Sequence, residues 1–108
     1  LSLYHTSATL LPTFLPKLLT SNNEIKGYFE VAFNGDASVE VNVENAIIKE
    51  LSGNNFLITG DYIFCLGSKG DKKYLSWYSF LIDLSSDSPI KHHHSSRVPI
   101  EFDLSRTE

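Results

Sequence analysis

Three consecutive histidines, His92, His93 and His94, are the first residues whose type could do chemistry, as metal ligands or as proton carriers. In an extended segment neighbours point to alternate sides, so the three do not converge as the ligands of a closed metal site must. The run reads as solvated loop, and no metal ligand is assigned. Asp61, Asp71, Asp83 and Asp87 fall at or near strand ends and carry the oxygen donors that calcium selects, but turn aspartates serve equally well to shape reversals. Cys65 lies inside an apolar strand, where a desolvated thiol is a poor nucleophile, and as the only cysteine it makes no internal disulfide. No serine stands in a Gly-x-Ser-x-Gly turn, and Gly67 to Gly70 reads Gly-Ser-Lys-Gly, without the lysine spacing of a phosphate loop. The expectation is a non-enzymatic chain with no catalytic residue, no cofactor and no metal.

Tyr74, Trp77, Tyr78 and Phe80 form the remaining cluster. Strand aromatics can stack on nucleic-acid bases, but such platforms sit in basic grooves, and only Lys69, Lys72 and Lys73 lie near these. The formal net charge of −4 over 108 residues disfavours nucleic acid further. The rings read as core, with Tyr74 and Trp77 contributing to a protein-binding face, where amphipathic aromatics are enriched. No apolar run approaches the roughly 20 residues of a membrane helix, and the absence of methionine leads to the expectation of a piece of a longer protein.

Positioning these residues falls to strands. Val39, Val41 and Val43 alternate with Glu40, Asn42 and Glu44, and Phe29, Val31 and Phe33 alternate with Tyr28, Glu30 and Ala32; Asn34, Gly35 and Asp36 lie between. The pattern predicts a hairpin over Tyr28 to Val43 with its valines buried. Further strands are expected over 46–51, 56–59 continuing through Gly60 and Asp61 into 62–66, and 74–84. The closing strand, 98–104, is an edge because of Pro99. Residues 1–22 form an apolar strap or short helix broken by Pro12 and Pro16, and residues 85–97 an exposed loop. The fold class is all-β: one domain, 1–108, an antiparallel β-sandwich of about six to eight strands. Its core is expected from Phe29, Val31, Phe33, Val39, Val41, Val43, Ile63, Cys65, Phe80 and Ile82, so that Val41→Asp should unfold it.

Gly60 to Leu66, reading Gly-Asp-Tyr-Ile-Phe-Cys-Leu, resembles the Gly-x-Tyr-x-Phe-Cys-Phe strand of p24-type GOLD domains, the lumenal sandwiches of early secretory pathway cargo receptors. Lys26 to Val43 resembles that family's hairpin, and Leu81 to Leu84 its final strand, so the likeness spans about residues 24–84. It implies cargo recruitment or oligomerisation in the endoplasmic reticulum and Golgi. Two other families share the strand pattern. A C2-type sandwich would bind a membrane or an adjoining domain, and a small OB-fold subunit would serve a nucleic-acid-maintenance complex. In the favoured reading the chain is a protein-interaction domain, homo- or hetero-oligomeric. Its partner-binding residues are Tyr74 and Trp77, together with Val98, Ile100 and Phe102 on an edge open to β-augmentation.

Overall fold

The two longest apolar runs of the sequence pair with each other over their whole length and form the spine of the molecule. In a computed structural model, which describes residues 3–33, 37–67 and 71–99, Asn55–Leu66 (β4) and Lys72–Asp83 (β5) run antiparallel from Asn55↔Asp83 to Leu66↔Lys72. Strand alternation gives this ribbon two faces. Phe56, Ile58, Gly60, Tyr62 and Phe64, with Tyr74, Tyr78 and Phe80, point to the inner face, and Leu57, Ile63, Leu75, Trp77 and Leu81 to the outer. Gly60 is demanded by crowding: a Cβ there would lie 2.7 Å from the Tyr78 hydroxyl.

Four shorter strands complete one six-stranded sheet. Ser38–Val41 (β2) and Ile47–Ser52 (β3) pair in succession with β4, separated by a 3-10 turn at Val43–Asn45. Ile90–Arg97 (β6) lies antiparallel to β5, and Tyr4–Leu11 (β1) adds to β6 in parallel. The domain is mainly β with six strands, as expected, but the sheet is mixed. Its second layer is a helix and a loop: Asn22–Ala32 (α1), together with the segment after β1, covers the inner face.

Four expectations are corrected here. Residues 25–32 form α1 and not the first arm of a hairpin. Ile25, Tyr28, Phe29 and Ala32 recur at helical spacing, and Ser21-Asn22-Asn23-Glu24 is a capping box, in which the Ser21 hydroxyl accepts the Glu24 N–H at 3.2 Å. Within the expected strap, residues 4–11 are a strand; the chain then folds back, and Leu19 exchanges two 2.9 Å backbone bonds with Leu10. The expected loop 85–97 contains β6. Much of the proposed core also moves. Val31 lies on the outer side of α1 and is 80% exposed, while Val39, Val41 and Val43 are exposed at the sheet margin, so Val41→Asp is no longer expected to unfold the chain. The buried centre is Ala8, Leu10, Leu19 and Ile25 on one side and Tyr62, Phe64 and Tyr78 on the other.

Candidate functional site

Between α1 and the inner face of the sheet lies a cavity of about 330 Å³. Its walls are mostly rings and aliphatic groups: Tyr28, Phe29 and Phe33 from the helix, Phe64 from β4, Leu10 from β1 and Val39 from β2. The helix rings stack in sequence, Phe29 5.6 Å from Phe33 and Phe33 5.1 Å from Phe64 between centroids, while Phe14 closes the neighbouring space edge-on to Phe64 and Tyr74.

Polar groups enter the cavity along one line. Strand alternation turns His93 and Ser95 of β6 inward, opposite Phe80 and Tyr78. The His93 ring stacks on Phe80 at 4.0 Å; its Nδ1 meets the Tyr4 hydroxyl at 2.9 Å and its Nε2 the Tyr62 hydroxyl at 3.0 Å. Tyr62 donates to Ser95 Oγ at 2.5 Å, and Ser95 bonds in turn to the Thr13 hydroxyl. These contacts fix the direction of the chain. Tyr62 has one proton and gives it to Ser95, so its oxygen accepts from Nε2–H; Nδ1 is then the lone pair that accepts from Tyr4. Donation runs Tyr4 to His93 to Tyr62 to Ser95, and between Ser95 and Thr13 either hydroxyl can donate.

Burial sets the charge of this array. It pushes the His93 pKa down to about 3, with His92 and His94 adding to the effect, so the imidazole is neutral at pH 7. Burial likewise raises the Tyr4 hydroxyl to about 12 and lifts those of Tyr62 and Tyr28 above the ordinary phenol value. Among the described residues lining the cavity none is Asp, Glu, Lys or Arg. The site therefore offers hydrogen bonds and apolar surface without a charge.

The residues singled out from the sequence are dispersed. His92 and His94 turn to the outer face, where Thr9 Oγ1 meets His92 Nδ1 at 2.5 Å, and only His93 reaches the cavity. Asp61 takes the Asn45 side chain at 3.3 Å, and Asp83 holds Ser85 and Lys91; among the described residues no three His, Cys, Asp or Glu converge as metal ligands. Cys65 is a buried free thiol. Tyr74 and Trp77 lie on opposite faces. Tyr74 packs inside beneath the Arg97 guanidinium, whereas Trp77 is 51% exposed on the outer face. Val98 is half-buried, its N–H bonded to the Leu75 carbonyl at 3.0 Å, and Ile100 and Phe102 lie outside the described residues. Sequence reasoning missed Tyr4, Thr13, Tyr62 and Ser95 as a group. The available signal was the capping box at Ser21, which makes 22–32 a helix and leaves the strands on either side to face it.

No family model and no curated protein matches the sequence. The chain is similar to the solved structure of an association domain. That structure, from Xanthomonas campestris, is described as a calcium/calmodulin dependent protein kinase II association domain; it superposes with a TM-score of 0.78 at 26% identity, over 92% of this chain and 71% of its own.

Proposed function

We propose that this chain is a non-enzymatic association domain that pairs with a second copy of itself through the outer face of its sheet. The observation that carries the reading is the apolar character of that face. The outer face of β4 and β5 carries the pairs Leu57–Leu81 and Ile63–Leu75, with Trp77 beside Asp61 and Ser79 beside Thr59 in the rows between; Ile47 lies next to Thr59 on β3, and among the described residues no helix or strand covers this face. Leu75 and Trp77 are 46% and 51% exposed. Exposed apolar side chains grouped on one sheet face are the mark of an interface.

Size and pattern both suit a twin. The twelve-residue strands β4 and β5 span roughly 40 Å and the sheet is roughly 20 Å across, so the face is at most roughly 800 Å², an upper bound that just reaches the share of one partner in a standard interface. Along the outer side β5 reads Lys73, Leu75, Trp77, Ser79, Leu81, Asp83. A two-fold axis near its middle brings each basic end to the acidic end of the other copy and apolar side chains together, the self-complementarity an isologous dimer requires. The description of the Xanthomonas structure as an association domain supports the same role.

Trp77 is the only tryptophan, so its emission reports the face directly. Sedimentation is expected to show a dimer or a larger assembly, with Trp77 emission moving to the red on dilution. Trp77→Glu is expected to give a monomer that still melts cooperatively. A wild-type chain that sediments as a monomer at its highest soluble concentration would overturn the proposal.

A further inference from the structure

The cavity lies on the face opposite the one used for association, and its contents do not follow from that role. Its volume of about 330 Å³ is roughly twice the 150 Å³ that accommodates benzene in an apolar cavity, so it has room for a fused or substituted aromatic ring. Rings supplied by Tyr28, Phe29, Phe33 and Phe64 line it, which suits a flat guest. A carboxylate or ammonium group would enter without a counter-charge, because no lining residue among those described carries one, and an unpaired ion in such a place is heavily penalised.

The directed hydrogen-bond chain says what polar group fits. Ser95 accepts from Tyr62, and Ser95 and Thr13 share one further bond in which either hydroxyl can donate, so of the two protons this pair brings one is left over. The Tyr28 hydroxyl accepts from the Phe14 backbone and also keeps its proton. The cavity thus presents spare donors, and a guest must bring an acceptor. We infer that this space is a binding site for a small, uncharged, planar aromatic compound bearing a hydroxyl or carbonyl oxygen, set against the wall formed by the α1 rings and Phe64 with its oxygen toward the Ser95–Thr13 pair.

The probes are 2-naphthol and its anionic counterpart 2-naphthoate, titrated by calorimetry at pH 7 into the intact chain. Saturable one-to-one binding of 2-naphthol is expected, with 2-naphthoate at least about tenfold weaker. Val39→Trp places an indole in the cavity from a partly exposed strand position and is expected to abolish binding while cooperative melting persists. Thr13→Val is expected to weaken binding about five- to tenfold, the effect of one lost hydrogen bond. Trp77→Glu, on the far face, is expected to bind 2-naphthol as the wild type does, which separates this result from the oligomeric state. Absence of saturable 2-naphthol binding, equal affinity for the naphthoate, or unchanged binding in Val39→Trp overturns the inference.

Discussion

His93 is held uncharged by its surroundings, and that has a consequence for stability. In the unfolded chain an imidazole titrates near pH 6.5, whereas burial brings it to about 3 in the fold. Between those values the unfolded state binds the extra proton, so acid favours unfolding. Stability is expected to be flat above pH 6.5 and to fall by about 1.4 kcal/mol per pH unit below it, the slope of a single linked proton. Glu24 behaves in the same sense but in a lower window. The Lys17 ammonium at 2.9 Å, followed by the Thr20 N–H, keeps its carboxyl at about 2, so its contribution fades only as pH drops below 4.5. Urea melts between pH 6.5 and 5 isolate the histidine, and His93→Gln should remove the slope in that interval. A slope that survives the substitution would place the linked proton elsewhere.

At the scale of elements, α1 forms one wall of the cavity, and its first turn depends on a single hydroxyl. Ser21→Ala removes the cap on the Glu24 N–H and is expected to cost about 1 kcal/mol, measured by denaturant unfolding, with faster amide exchange through Ile25 to Phe29. An unchanged midpoint would show that packing of Ile25 alone holds the turn. The elements were unequally legible in the sequence. The strands β2 to β5 could be read because their alternation, or continuous apolar runs, match burial on a sheet. Residues 25–33 satisfied two periods at once: Phe29, Val31 and Phe33 alternate, while Ile25, Tyr28, Phe29 and Ala32 share a helical face. The hydroxyl-to-glutamate spacing at Ser21 and Glu24 favours the second. β6 was hidden for a different reason. Its inward positions after Ile90 are His93, Ser95 and Arg97, so most of the apolar stripe that identifies a strand is replaced by polar groups, His93 and Ser95 forming the line in the cavity. Trp77 was legible as a surface aromatic, whereas Tyr74, three residues away, fell on the other face through strand alternation.

For the whole molecule, the proposed pairing would couple association to folding, since an apolar outer face is hydrated in a lone copy and dry in a pair. Melting should therefore depend on concentration. For a dimer of this length a tenfold dilution is expected to lower Tm by about 3 °C, from about 1.4 kcal/mol spread over the unfolding entropy of two chains. Differential scanning calorimetry at several concentrations checks this, and Trp77→Glu should melt at one temperature throughout. A wild-type Tm indifferent to dilution would mean that the two copies do not stabilise each other.

The parallel seam between β1 and β6 joins the earliest described strand to the latest. Tyr4 meets His93 across 89 positions of chain and Thr9 meets His92 across 83. During synthesis at about 5–20 residues per second, β1 waits for several seconds with nothing to dock against. The ribbon of β4 and β5 can assemble as soon as it leaves the ribosome, but the cavity acquires its floor only when the histidine strand arrives. Closing so distant a loop is slow, and this step is the natural point for a nascent chain to stall or to be met by a chaperone.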